Sequence, residues 1–224
     1  MSDVPTPATL DSLIHCPLGA EDGTPVAVLL HGRGSNKGDM QGLRPMLPQD
    51  WALVTPEAPF SASTWGYGPG SAWYRYVEED RVVPETLEES FAKLDAFLSE
   101  LPQVLTFRPG RLILGGFSQG GTVSLAYALS RPGSVAAVLN FSGFLVDSAR
   151  LDETGGSPPK TPIFWGHGSG DPAIPISLAE RGRNRLRRAG ANLVARDYPI
   201  GHWIAADEVE EAVSSLLPPA AAAT

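Results

Sequence analysis

The stretch Arg111-Leu112-Ile113-Leu114-Gly115-Gly116-Phe117-Ser118-Gln119-Gly120-Gly121 decides the fold. Residues 111–115 form a run of strand length that is continuous rather than alternating, as suits a strand covered on both faces. Gly116-Phe117-Ser118-Gln119-Gly120 then fits the pattern G-x-S-x-G, and a helical segment, Gln119–Ser130, follows. In a strand–turn–helix setting this pattern puts a serine on a sharp, strained turn with its hydroxyl exposed. Glycines two before and two after remove the Cβ atoms that would collide there. The amino end of the helix offers backbone N–H groups and a positive dipole to an oxyanion. Ser118 is therefore the candidate nucleophile; the alternative is a glycine-rich turn with an incidental serine.

Working outward, further runs of strand length lie at 26–30, 51–55, 135–141, 161–165 and 193–198, with a weaker, edge-like candidate at 11–16. Helical segments lie between them. After Pro84, which suits a first helical turn, Leu87, Phe91, Leu94, Leu98 and Leu101 recur as one apolar stripe, and Pro102 is expected to stop it. Further helices are expected at 176–189, ending at Gly190, and at 207–217, ending at Pro218. In the last, Asp207, Glu208, Glu210 and Glu211 sit in the first turns, where the helix dipole favours anions. Strands alternating with helices imply right-handed crossovers and an α/β fold, a mostly parallel sheet with helices on both faces. The five arginines at 181, 183, 185, 187 and 188 wrap around their helix, so a solvated surface is expected for them. No linker shows, so residues 1–224 read as a single domain, with 1–9 and 218–224 frayed.

The chain has 224 residues, 42% hydrophobic, and 17 Lys+Arg against 25 Asp+Glu give a net charge of −8. An acidic chain is a poor non-specific ligand for nucleic acid, and the apolar runs are too short for stable membrane insertion. The single cysteine, Cys16, excludes an intramolecular disulfide and a cysteine-based metal cluster, and fits a reducing compartment. Residues 1–13 contain no basic segment followed by an apolar one, the pattern of a secretory signal. A cytoplasmic location is expected.

In such a sheet, sites gather at the carboxyl ends of the strands. A serine needs a base, and four histidines are present: His15, His31, His167 and His202. The order nucleophile, acid, histidine puts the base C-terminal to Ser118. His202 follows the last strand and precedes the last helix; His167, in Gly166-His167-Gly168, also follows Ser118, with Asp147, Asp152 or Glu153 as its only preceding acids. His15 and His31 precede the serine and read as packed or solvated imidazoles. For the acid, Asp171 follows the strand at 161–165, in Gly170-Asp171-Pro172, where an Asx turn is compatible with the role; Asp147 is the runner-up. The loop Leu30-His31-Gly32-Arg33-Gly34 offers a second oxyanion donor beside the Gln119 N–H, from Arg33 or alternatively Gly32. Neither phosphate-loop pattern is present.

With these pieces in place, the chain resembles the phospholipase/carboxylesterase family of α/β hydrolases, which includes the acyl-protein thioesterases. The matching pieces are Leu29-Leu30-His31-Gly32, Pro56-Glu57-Ala58-Pro59, Ser71-Ala72-Trp73-Tyr74, Gly115-Gly116-Phe117-Ser118-Gln119-Gly120-Gly121, Gly166-His167-Gly168 with Asp171-Pro172 and Ile174-Pro175, and Gly201-His202. The resemblance implies an α/β-hydrolase fold without a large cap domain. It implies a serine carboxylesterase with the triad Ser118, Asp171 and His202 and no metal or organic cofactor. Short acyl esters, lysophospholipids and thioesters are substrates of relatives. Relatives often carry an apolar residue where Arg33 stands, and a cation there would favour substrates with a carboxylate, or simply point to water. Trp65 and Tyr67, on a glycine-rich loop, are candidates for an apolar ester groove, together with Trp73 and Trp203. The expected partner is a small-molecule ester, and the expected state a monomer or homodimer. The rivals are a peptidase or acyltransferase on the same triad, and a hydrolase-derived protein that binds an ester-like ligand without cleaving it.

Overall fold

The computed structural model describes residues 10–149 and 160–216. Among them, seven strands form one sheet: β1 (Ser12–His15), β2 (Val26–Leu30), β3 (Ala52–Pro56), β4 (Leu112–Phe117), β5 (Ala137–Phe141), β6 (Ile163–Gly168) and β7 (Leu193–Tyr198). Their spatial order is β1-β3-β2-β4-β5-β6-β7. β1 pairs antiparallel with β3, so the weak candidate at 11–16 is an edge; every other pairing is parallel. The chain runs outward from β2 to β3 on one side and returns to β4 on the other. That reversal opens a crevice at the carboxyl ends of β2 and β4. β4 and β6 run past their apolar stretches through Gly116-Phe117 and Gly166-His167-Gly168, because ladder pairing persists where hydrophobicity does not: His167 pairs with Asp197, and Gly168 with Tyr198.

Four α-helices are described: α1 (Pro84–Leu105), α2 (Gln119–Ser130), α3 (Ile176–Arg188) and α4 (Ala206–Leu216). Pro102 does not stop α1, as the sequence led us to expect. The helix runs one further turn, to Thr106 in the left-handed region at φ 64°. Proline costs one ladder bond, but Leu101 and Leu105 on either side of it are buried, and their burial holds the turn in place. Asp152 and Glu153, two of the candidate acids, lie outside the described residues, as do Leu217 and the two termini expected to fray.

Alternation along each strand fills two cores. Val26, Val28 and Leu30 of β2 face Leu87, Phe91 and Leu94 of α1 and Val123 of α2, with Leu186 of α3 in the same cluster. Ala27 and Leu29 face the opposite layer, made by Met40 and Leu43 of a 3-10 segment (Asp39–Met46) and Val209 and Val213 of α4. Covering on both faces explains why β2, β3 and β5 are buried at every position.

Arg181, Arg187 and Arg188 of α3 are exposed, as expected, but Arg183 and Arg185 are not part of a solvated surface. Arg183 is buried, and its guanidinium donates to the carbonyls of Trp165 (3.0 Å) and Arg196 (2.9 Å) and to the Asp197 carboxylate. Arg185 reaches the carbonyls of Val146, Asp147 and Ala149. The planar, multi-donor guanidinium satisfies loop and strand-end carbonyls that a helical pattern does not reveal.

A second buried charge has a measurable consequence. Glu208 of α4 is fully buried, and its carboxyl lies against Gly166, where a Cβ would collide with it. Burial pushes its pKa up from 4.5 to about 7; Asp207 adds to the rise, while the Ala205 N–H and Arg183 oppose it. The folded pKa is above the unfolded one. Stability from this group is therefore complete below pH 4.5 and is lost as the pH rises through about 7. Glu208→Gln should flatten that fall and gain about 3 kcal/mol over the parent at about pH 8, read from denaturant midpoints at about pH 5 and pH 8. The same pH dependence in both proteins would contradict the assignment.

Candidate active site

Ser118 caps α2 at φ 54°, ψ −113°, a region that non-glycine residues rarely occupy. Its N–H donates to the carbonyl of Phe141 in β5 (2.7 Å), and its own carbonyl accepts the Thr122 N–H (3.0 Å). Close approach of β2 demands the flanking glycines: a methyl group at Gly116 or Gly120 would strike the carbonyl oxygen of Leu30. The turn therefore lifts the hydroxyl out of the sheet at the crevice.

Three distant side chains meet there. Nε2 of His202 lies 2.9 Å from the Ser118 hydroxyl oxygen, and Nδ1 lies 2.6 Å from Oδ2 of Asp171. These contacts fix the neutral tautomer: Nδ1–H donates to the carboxylate and Nε2 accepts from the serine. Asp171 is buried, and its Oδ1 accepts the N–H groups of Ala173 (2.8 Å) and Ile174 (2.9 Å), which is the Asx turn anticipated ahead of Pro172. The Phe117 ring packs on the imidazole, centroid to centroid 4.7 Å.

The other histidines have different partners. His167 is buried, its Nε2 donates to the carbonyl of Ile174 (2.9 Å), and that nitrogen lies 3.6 Å from Oδ2 of Asp171, the oxygen that His202 Nδ1 bonds. Burial holds its pKa below the usual histidine value, so it braces the Asp171 loop as a neutral ring. His31 is also buried, and burial depresses its pKa too. Its Nδ1 donates to the Gly32 carbonyl (2.8 Å) and its Nε2 accepts the Ala58 N–H (3.1 Å). His15 is exposed. Asp147, the runner-up acid, has its N–H bonded to the Asp80 carbonyl (2.9 Å) and lines a separate cleft with Arg185.

Several of the sequence fragments that carry the family resemblance form one scaffold. The Glu57 carboxylate accepts the Lys37 N–H (2.8 Å) and the Ser71 hydroxyl. Trp73 donates its indole N–H to the His31 carbonyl (3.0 Å). The Gln119 side chain accepts the Trp73 N–H and donates to the Tyr74 carbonyl, both at 2.8 Å. Together these hold the loop after β2 beside Ser118; Gly32 lies so near that an added Cβ would be 3.7 Å from the serine's.

A cavity of about 540 Å³ opens over the serine, lined by Gly32, Arg33, Ser118, Gln119 and His202 among others. Its apolar walls are Tyr74, Tyr76, Phe117, Phe144, Ile174 and Leu178. None of Trp65, Tyr67, Trp73 and Trp203 lines it. Trp73 is buried beneath the site, Trp65 packs between Phe60 and Tyr67, and Trp203 is 56% exposed. Tyr74 sits in a fragment the sequence had singled out, one residue from Trp73. Phe144 carried no sequence signal, since it is placed by the turn after β5 in which Ser142 has φ 53°. Among the described residues no three His, Cys, Asp or Glu side chains gather as metal ligands.

Known proteins share this arrangement of elements. Residues 14–217 match the family described as Phospholipase/Carboxylesterase. Acyl-protein thioesterase 1 of Saccharomyces cerevisiae is 29% identical over 171 residues, 67% of this chain and 72% of the yeast protein. Lysophospholipase-like protein 1 of Mus musculus is 25% identical over 231 residues, 97% of this chain and 95% of the mouse protein. The crystal structure of esterase PE8 superposes with a TM-score of 0.77 at 28% identity, covering 93% of this chain and 98% of that one. With the match spanning β1 to the last helix, the chain belongs to the phospholipase/carboxylesterase family of α/β hydrolases.

Proposed function

We propose that this chain is a serine carboxylesterase that cleaves esters of short to medium acyl chains through an acyl-enzyme on Ser118. The unbroken hydrogen-bond path Ser118–His202–Asp171 is the observation that carries the reading. As the Ser118 oxygen attacks the ester carbonyl, its proton passes to Nε2 of His202, and Asp171 stabilises the imidazolium. The tetrahedral oxyanion accepts the backbone N–H of Gln119 and that of Arg33. Collapse breaks the bond to the alcohol oxygen, which leaves with the proton from Nε2. Water then gives a proton to the same nitrogen, attacks the acyl-enzyme, and frees the acid and the serine hydroxyl.

The aromatic and aliphatic walls of the cavity suit an apolar stretch of the ester, and about 540 Å³ suits a ligand of modest size. A panel of esters and thioesters of rising acyl length tests this. Turnover should peak at short to medium chains and fall at long ones; a peak at long chains would favour a lysophospholipase or acyl-protein thioesterase, in line with the names of the yeast and mouse relatives. Saturable binding of the esters without release of acid would favour the binding-protein rival. No helix among the described residues is long and apolar enough to cross a membrane. The exposed lone thiol of Cys16 supports a reducing compartment, the cytoplasm, as the place of action.

A further inference from the structure

Arg33 differs from its neighbours at the cavity. Arg181, which also lines it, is held by Glu79 and Asp80, each at 3.1 Å. The Arg33 guanidinium has no carboxylate within 4.0 Å among the described residues, and its contact is with the face of Tyr67, 4.8 Å from the ring centroid. A cation–ring contact needs no hydrogen bond, so it leaves the guanidinium N–H groups to donate.

The platform beneath it is fixed. The Tyr67 hydroxyl accepts the Tyr76 N–H (2.9 Å) and donates to the Tyr76 carbonyl (3.3 Å). Gly34 takes φ 76°, its N–H bonds the Ser71 carbonyl (2.9 Å), and a Cβ there would strike the carbonyl of Tyr67. The loop that presents Arg33 is thus pinned on both sides before any ligand arrives. One carboxylate lining the cavity, Asp39, also lies outside the ion pairs, but it sits in the first turn of the 3-10 segment, where N–H groups already favour an anion. Of the two arginines that line the cavity, Arg33 is the one outside the ion pairs among the described residues.

We propose that Arg33 forms an anion subsite of this cavity, selecting esters that carry a carboxylate a few atoms from the scissile bond; the inference rests on the esterase reading above. The planar guanidinium suits two-pronged contact with a carboxylate better than an ammonium would. In a chain of net charge −8, such a subsite reverses the general repulsion of anionic substrates.

The test compares pairs of esters matched in length. On the acyl side, monomethyl glutarate is set against methyl pentanoate; on the alcohol side, 4-acetoxybutanoate is set against butyl acetate. The readout is the ratio of kcat/KM, anionic over neutral. Both members of a pair use the same oxyanion donors, so disturbance of those donors cancels. Arg33→Met should lower the ratio at least about tenfold in one pair, the scale of a lost charge-assisted contact, and that pair locates the anion. Arg33→Lys should fall between. In the parent enzyme, rising salt should lower the same ratio by screening the subsite, whereas net-charge repulsion alone would make salt raise it. This second measurement stands even if Arg33→Met does not fold. Ratios unchanged by substitution, or raised by salt, in both pairs would overturn the subsite while leaving the esterase intact. Failure of the parent to hydrolyse any of the four esters would overturn the esterase reading itself, and the subsite with it.

Discussion

Ser118→Ala is expected to lower kcat for a short p-nitrophenyl ester by about 10⁶-fold, the scale seen when a triad serine is removed elsewhere. The hydroxyl is the only atom lost. The backbone at φ 54° is held by the Phe141 carbonyl and the Thr122 N–H, neither of which involves the side chain. Circular dichroism and melting temperature should therefore match the parent. Activity within tenfold of the parent, in a preparation free of contaminating esterase, would end the assignment of Ser118 as nucleophile.

Asp171→Asn should cost about 10⁴-fold in kcat, with substrate binding little changed. Oδ1 accepts two backbone N–H groups, from Ala173 and Ile174, so an asparagine keeps its carbonyl oxygen there. Its amide NH₂ then faces Nδ1 of His202 and needs an acceptor. The imidazole answers by moving its proton to Nε2, the nitrogen that must take the serine's proton. Asp147→Asn, by contrast, should stay within about twofold of the parent, as befits a surface carboxyl away from the triad. Steady-state kinetics on the two variants decide between the acids that the sequence offered, and a larger loss at Asp147 would reverse the assignment.

Much of this site was legible because its chemistry is written in local geometry. Gly116 and Gly120 record where β2 crowds the turn, and a strand–turn–helix reading recovers Ser118 without reference to anything distant. The order of elements narrows the base to His202 or His167 and favours Asp171 over Asp147 as the acid, and the distances bring His202 and Asp171 to the serine. The ligand-facing walls were harder to see. Trp65, Tyr67, Trp73 and Trp203 stand out by residue type, but aromatic residues near a site are as often its foundations. Trp73 supports His31 from below, and Tyr67 supports Arg33. Phe144 and Leu178 reach the cavity through tertiary packing that no short-range pattern encodes. Two of the five arginines of α3 depart from a solvated surface for a related reason. Helical spacing describes one element's surface, whereas Arg183 and Arg185 are claimed by carbonyls contributed from other elements. Pro102 shows the same limit from the opposite side: the local rule against proline within a helix yields to two buried leucines.

The hydroxyl at 118 acting as a nucleophile, primed by the imidazole, is what the whole account depends on. Treatment with a fluorophosphonate, followed by intact-mass and peptide mass spectrometry, reads it most directly. One adduct per chain should form, on the peptide containing Ser118, and His202→Ala should slow its formation by several orders of magnitude. Labelling elsewhere, no labelling, or labelling at an undiminished rate without His202 would contradict it.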